Sequence, residues 1–255
     1  MIRAFRSELV KLRRRSMLLG AFGATLGFSV LGNILAVYRA GRENGLTVAR
    51  LSQADGYTAV LQRSEIFLGV VALGIVAIAT AQEYSHGTLR NLLVREPRRI
   101  RLLAGKTLAN LLFVAATVVV GMTVGLIVAE LIAPSKGIDT AGWLGSGLGS
   151  TLGSAGNVLL AVTGWGVFGA MLAIVLRSPA PAVVIGFAWA LPVENLLTAA
   201  WSEVGHWLPG QQLAAIAARG NSVSGYTWAL GLGAAFVVTA AVGSATLFAR
   251  RDVAV

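Results

Sequence analysis

The chain of 255 residues is 56% hydrophobic and only 13% charged, and it carries a formal net charge of +10. A soluble domain needs about a quarter of its residues charged to cover its surface, so most of this surface must face lipid. The sequence contains no cysteine, which excludes disulfides, thiolate nucleophiles and cysteine-based metal cages.

Residues 1–16 predict an amphipathic helix that lies in the membrane interface. Phe5, Leu9 and Leu12 recur at helical spacing, and Lys11 is one of several basic residues between and after them. The alternative is a disordered basic tail that acts only as a topology signal.

Six segments are apolar over the roughly 20 residues that a helix needs to cross a bilayer. They cover residues 17–37, 59–81, 108–133, 151–176, 180–200 and 228–249. The second segment is the least apolar, because Arg63 and Glu65 lie near its outer end. The sequence therefore predicts an all-α integral membrane protein, with one transmembrane domain over residues 1–255.

Two segments contain the small-xxx-small spacing that lets helices approach closely. One is Gly23 to Gly27 and the other is Gly121 to Gly125. Because glycine is abundant in this chain, either match can also arise by chance.

Lysine and arginine are distributed unequally between the two sides of the predicted bundle. With the N-terminus in the cytoplasm, fifteen basic residues and four acidic ones fall on the cytoplasmic side, against six and seven outside. Short loops rich in lysine and arginine stay inside, so we expect an even number of spans and both termini in the cytoplasm. These charges fix topology and meet anionic headgroups, so nucleic-acid binding is not needed to explain them.

The loop between the second and third spans predicts a short helix with one apolar stripe. Gly87 can end the incoming helix, Thr88 can cap the new helix, and Pro97 can stop it. The stripe is formed at positions i, i+3 and i+4 by Leu89, Leu92 and Leu93. Either a groove in a partner protein or the membrane surface must cover such a stripe.

This loop and the start of the chain resemble the permease subunits of ATP-binding cassette (ABC) exporters of the type-2 class. The opening run of residues 7–15 carries part of the resemblance. The rest lies in the order Glu83, Gly87-Thr88, Leu92-Leu93, Pro97-Arg98 and Lys106.

The resemblance implies a role for both segments. The loop residues, together with Leu89, would form or support a coupling helix that docks on an ATPase subunit. The first helix would be an interfacial elbow, with the residues Phe5, Glu8, Leu9, Lys11 and Leu12. The alternative for the loop is a purely structural connection.

The chain lacks the Gly-x4-Gly-Lys-Ser/Thr loop that surrounds nucleotide phosphates. Gly105-Lys106-Thr107 supplies only the tail of this pattern, since Ile100 stands where the first glycine belongs. The resemblance therefore implies a separate ABC ATPase, in two copies, that binds ATP and Mg. It implies that this chain is not an enzyme and holds no cofactor or metal, and that it pairs with a second permease copy in the bacterial plasma membrane.

Few ionisable residues lie within the predicted spans, which favours export of an apolar or amphipathic cargo: a drug, an antibiotic, a peptide or a lipid. Two ATP-independent alternatives are a membrane scaffold that binds anionic lipid and a secondary transporter. The scarcity of charge in the spans disfavours the secondary transporter. A membrane enzyme is disfavoured because no paired acids or histidine clusters occur at membrane depth.

The segment between the fifth and sixth spans allows two interpretations. His206 to Gly210 breaks the chain, and residues 211–218 predict a helix too short to cross a membrane. Its position matches the short re-entrant helices of the resembled family. Alternatively, it rests on lipid headgroups, with Trp201, Trp207 and Trp228 as interfacial anchors.

Overall fold

The computed structural model describes residues 2–42, 45–85, 87 and 98–250, and its longer elements are all helices. In chain order they are α1 (Ile2–Leu12), α2 (Arg15–Tyr38), α3 (Val48–Leu51), α4 (Gly56–Ser85), α5 (Arg99–Ile132), α6 (Leu148–Leu176), α7 (Pro179–Ala188), α8 (Glu194–Ala200), α9 (Pro209–Ala217) and α10 (Tyr226–Arg250). Within the described residues, six helical segments are long and apolar enough to cross a membrane, with α7 and α8 forming one of them. The predicted all-α fold with six spans is confirmed.

The spans alternate in direction, so the bundle has two ends. We call one the basic end; it carries α1, the end of α4, the start of α5 and the end of α10. We call the other the far end; it carries α3, α8, α9 and the loops that join the spans on that side. Contacts between distant parts of the chain join the elements at each end.

Helix α4 lies at the centre of the bundle. In its most apolar stretch 83% of residues are buried, against 22% in α2 and in α10. The close packing of α4 against α6 depends on glycine in both helices: Gly69 lies against the ring of Trp165, and Gly169 lies against the backbone of Leu73. Small residues at such crossings let helix backbones approach closely, which increases the dispersion contacts between them. These contacts matter because the hydrophobic effect does not drive helices together within lipid.

Helices α2 and α5 pack along a polar seam. Ser29 Oγ donates to the carbonyl oxygen of Gly121 at 2.6 Å, and Asn33, one turn further along α2, lies against Gly125. The small-residue spacing of Gly121 and Gly125 therefore marks a real helix crossing. Gly23 and Gly27 have no atom within 4 Å of an added Cβ, so this pair packs against nothing within the described chain.

The fifth span is not one regular helix. A π-helical turn, Trp189–Val193, separates α7 from α8 and contains Pro192. Proline lacks an N–H and its ring clashes with the carbonyl four residues earlier, and the wider turn relieves both problems. The same turn brings the side chains of Trp189 and Glu194, five residues apart, within hydrogen-bond distance.

A cap of loops covers the far end of α4. The indole of Trp143 is fully buried, donates to the carbonyl oxygen of Leu51 at 2.8 Å, and packs on the ring of Tyr57. Beside it, Arg50 forms an ion pair with Asp55 at 2.6 Å. The hydrogen bond from Arg50 lowers the pKa of Asp55 below its ordinary value. This ion pair is partly exposed, so it contributes little to stability.

The crossing of α4 and α6 can be tested with Gly169→Ala. The added methyl group would overlap the carbonyl oxygen of Leu73, which no side-chain rotation can move away. We expect a loss of about 1–3 kcal/mol of unfolding free energy, measured by denaturant unfolding in detergent.

Gly156→Ala is the matched control on the same helix, because an added Cβ there meets nothing within 4 Å. It should be neutral or stabilise slightly, since alanine favours helix more than glycine does. Equal stability of the two variants would contradict the close crossing.

Candidate functional site

Two acidic and two basic side chains meet at the basic end of the bundle. Lys106 Nζ lies 2.5 Å from Glu8 Oε2 and also contacts Glu83 Oε1. Lys11 Nζ lies 2.9 Å from Glu8 Oε1 and 3.3 Å from Glu83 Oε1. Each ammonium group therefore contacts both carboxylates, and the formal charge of the group sums to zero. We call these four residues the charge network.

Three helices supply the charge network. Glu8 and Lys11 are three residues apart on α1, so they share one face of that helix. Glu83 lies in the last turn of α4, and Lys106 lies two turns into α5. Apolar packing shields the same region, where Ala4 and Leu102 belong to a small buried cluster with Phe248.

Burial makes the charge network important for stability. Glu8 is 2% exposed, and Glu83 and Lys106 are each 7% exposed. A buried charge is costly unless it is paired, and removal of one partner leaves the other uncompensated. Lys11 adds a further hydrogen bond, from its ammonium group to the carbonyl oxygen of Ala79 at 2.7 Å. The network thus holds α1 against α4 and α5.

Residues 2–12 do form a helix, but its buried face differs from the predicted apolar stripe. Leu12 is buried, whereas Phe5 and Leu9 are only partly buried. The buried face includes Ala4 and Glu8 instead, because Glu8 pairs with lysines on two helices. Phe5 and Leu9 remain available for contact with lipid.

The predicted coupling segment is only partly described. Thr88, Leu89, Leu92, Leu93 and Pro97 lie outside the described residues. Helix α4 ends at Ser85, and Gly87 follows with a φ of +64°, which glycine adopts without strain.

Two further predicted residues flank this segment on its α5 side. Arg98 is exposed immediately before α5, and Lys106 is buried in the network. The network therefore brackets residues 86–97, with Glu83 before them and Lys106 after them. Sequence reasoning chose Glu8, Lys11, Glu83 and Lys106 separately and did not predict that they meet.

A second buried polar cluster lies at the far end. Glu65, near the outer end of the second predicted span, and Glu194, one of the seven acidic residues counted outside, are each only 1% exposed. Glu65 accepts a hydrogen bond from the indole N–H of Trp165 at 2.9 Å. Glu194 accepts one from the indole N–H of Trp189 at 2.5 Å. The spans therefore contain more buried ionisable groups than their hydropathy indicates.

Glu194 also holds the start of α9. Its carboxylate accepts backbone hydrogen bonds from Gly210 and Gln211, both at 3.0 Å. The first N–H groups of a helix lack partners within the helix, and an acidic side chain there also interacts favourably with the helix dipole. An added Cβ at Gly210 would meet both Glu194 and Trp165, so only glycine allows this close approach.

The position of α9 separates the two interpretations of this segment. Leu213, Ile216 and Gln212 are buried, and α9 packs against α6 and α10. A helix that rested on headgroups would leave one face free of protein. This helix instead packs between spans, which favours the re-entrant interpretation. Pro209-Gly210 is the sequence signal for its start, but nothing in the sequence identifies Glu194 as its partner.

The fold and the charge network define a multi-pass α-helical membrane protein with a helix at its N-terminus fixed to the spans by ion pairs. A family model described as ABC-2 family transporter protein matches residues 4–193, which include the whole network. The chain therefore belongs to the ABC-2 transporter family and is a permease subunit of an ABC-2 transporter. Membrane domains of this family are transporter components that work with ABC ATPase subunits, and they are not catalytic themselves. A comparison with curated proteins gives no match.

Lys106→Met tests the charge network. It leaves two buried carboxylates with only Lys11 to pair with, and we expect a loss of about 3–5 kcal/mol of unfolding free energy. Arg101→Met is the control, because Arg101 is exposed on the same helix and its replacement should change stability by about 0.5 kcal/mol or less.

Adding Glu83→Gln to Lys106→Met should recover part of the loss, since it removes one stranded charge. If Lys106→Met is as stable as Arg101→Met, the network does not hold the three helices together.

Glu194→Ala tests the attachment of α9. It leaves the indole N–H of Trp189 and two backbone N–H groups without their acceptor, at about 1–3 kcal/mol for a buried unpaired group. We expect hydrogen exchange across residues 210–217 to accelerate by about tenfold or more, measured by mass spectrometry.

Glu203→Ala is the control for this measurement, because the Glu203 side chain is 92% exposed on the adjacent turn. Faster exchange in both variants, or in neither, would argue against a specific role of Glu194 in holding α9.

Proposed function

We propose that this chain is the permease of an ATP-driven exporter, and that a separate ABC ATPase moves it through residues 86–97. The charge network is the single observation that carries this proposal. It fixes both flanks of that segment to α1 and to each other, so a displacement of the segment cannot be absorbed where the chain enters or leaves it. Motion of the segment would pass to α1, α4 and α5 together.

The proposed orientation follows from the charges. The basic end carries most of the lysine and arginine, and such loops remain in the cytoplasm. Both termini and residues 86–97 would then face the cytoplasm, where ATP is available to the ATPase. In this arrangement α1 lies at the inner surface of a bacterial plasma membrane, with Phe5 and Leu9 toward the lipid.

Two permease copies and two ATPase copies would complete the transporter. A pathway between two copies must be lined by faces that are not packed inside one copy, and these faces are apolar. Large exposed hydrophobic side chains occur on all six spans, among them Leu31 of α2, Phe67 of α4, Leu112 of α5, Leu152 of α6, Val184 of α7 and Val242 of α10. The buried acids, Glu65 and Glu194, already have hydrogen-bond partners. These surfaces favour an apolar or amphipathic cargo.

Membrane lipids are further proposed partners. A largely apolar groove of about 310 Å³ lies between α5, α6 and α10 toward the basic end. Arg98, Arg101 and Arg250 are exposed at the same end of these helices. An anionic lipid would place its acyl chain in the groove and its headgroup among the arginines.

Leu92→Asp tests the proposed coupling. An aspartate in the apolar stripe would have to be buried unpaired in the ATPase groove. An uncompensated buried charge costs about 2–5 kcal/mol, so docking should weaken by about thirtyfold or more. The measurement is co-purification of the ATPase with tagged permease from membranes, together with the ATPase activity of the complex.

Leu92→Met is the matched control, since it keeps the residue apolar and about the same size, and it should retain docking. Survival of both the complex and its stimulated ATPase activity in Leu92→Asp would reject the coupling assignment. Cargo transport by the permease without any ATPase would favour an ATP-independent scaffold or secondary transporter instead.

A further inference from the structure

A partly open pocket at the far end is separate from the charge network and from the attachment of α9. Its volume is about 350 Å³, and its walls come from the 3-10 turn Ser202–Trp207, the loop before α10 and the first turn of α10. The side chains that matter here are Glu203, His206, Trp207, Ser224 and Trp228. All five lie beyond residue 193, where the family match ends.

The pocket is lined by the groups that bind an organic cation. The indole rings of Trp207 and Trp228 pack edge to face, with centroids 5.8 Å apart and planes at 83°. Ring faces attract ammonium groups through their quadrupole, and tryptophan does so most strongly. Glu203 adds a carboxylate, with His206 Nε2 4.0 Å away. Among the described residues that line the pocket, there is no lysine or arginine to repel a cation.

One buried polar group in the pocket lacks a partner. The hydroxyl of Ser224 has no hydrogen-bond partner, although the residue is only 4% exposed and lines the pocket. Buried polar groups are normally hydrogen-bonded, so this hydroxyl is free to donate to or accept from a ligand in the pocket. A hydroxyl or phosphate oxygen beside the ammonium group would satisfy it.

Hydrogen bonds hold the backbone of both segments that line the pocket. Gln212 of α9 donates to the carbonyl oxygens of Gly205 and His206, which holds the 3-10 turn. Asn221 accepts from the backbone N–H groups of Val223 and Ser224, which holds the loop before α10. A pre-formed site loses little free energy to ordering when it binds.

We propose that this pocket binds an organic ammonium group with an adjacent oxygen. A soluble amine such as choline and the headgroup of an outer-leaflet phospholipid both present this chemistry. The two indoles then act as an ammonium site, and not only as anchors in the membrane interface. The proposal rests on the pocket and is independent of the coupling to an ATPase; only the assignment of the lipid source to the outer leaflet rests on the proposed orientation.

The test uses the full-length permease in nanodiscs of phosphatidylglycerol, whose headgroup has no ammonium. Saturation-transfer NMR measures contact of the choline methyl groups with the protein, and 3,3-dimethyl-1-butanol is the neutral probe of the same shape. We expect choline to bind and the neutral probe to bind at least several-fold more weakly. Equal signals from the two probes would overturn the proposal, because the pocket would then recognise shape without charge.

Variants locate the signal within the protein. Trp228→Leu keeps an apolar side chain but removes a ring face, and Glu203→Gln removes the charge, so each should weaken choline binding about two- to fivefold. Trp201→Leu is the control, since Trp201 is exposed on the same outer segment but does not line the pocket. An equal loss in Trp201→Leu and Trp228→Leu would also overturn the proposal.

A second set of nanodiscs separates the two sources of the ammonium group. If the headgroup of phosphatidylcholine occupies the pocket, the signal from soluble choline should fall several-fold in nanodiscs of that lipid, and this supports a lipid ligand. An unchanged signal supports a soluble amine.

Discussion

The charge network formed by Glu8, Lys11, Glu83 and Lys106 is the interaction on which the rest of the arrangement depends. Two carboxylates and the ammonium group of Lys106 are buried, with the partly exposed Lys11 beside them, and each buried charge is stable there only because its partners are present. The network therefore behaves as a unit: its members come from α1, α4 and α5, and displacing one helix leaves charges unpaired on the other two. Such a connection suits a part of the molecule that must move as one body.

The far end is built on a different principle. Glu194 is held by N–H donors of the indole and the backbone, without any cation, and it fixes a helix that is too short to span the membrane. The two ends of the bundle thus differ in how their buried carboxylates are paired, with ammonium groups at the basic end and N–H groups at α9.

Glycines allow close packing at two helix crossings, one between α4 and α6 and one between α2 and α5. Gly69 and Gly169 let α4 and α6 approach until a ring or a backbone fills the space of the missing Cβ. Gly121 and Gly125 do the same for α2 and α5. Lipid tails are as apolar as leucine, so moving apolar side chains from lipid into a helix interface contributes little free energy. Close contact between helix backbones stabilises the bundle instead.

The sequence by itself determined the class of fold, the six spans and their approximate ends. It offered two glycine pairs as packing candidates, of which only the pair on α5 lies at a helix crossing. The fold class and the spans follow from composition and from hydropathy along one helix, which are local properties. The members of the charge network were singled out one by one through the resemblance to a known family.

Only the tertiary structure decided which residues meet. Glu8 is near neither Glu83 nor Lys106 in sequence, and Glu65 and Glu194 read as outer charges until Trp165 and Trp189 are placed beside them. The same holds for the π turn at Pro192, which a hydropathy profile reads as part of one span. The physical reason is that partners from separate helices satisfy a buried polar group, and one-dimensional patterns carry no information about which helices become neighbours.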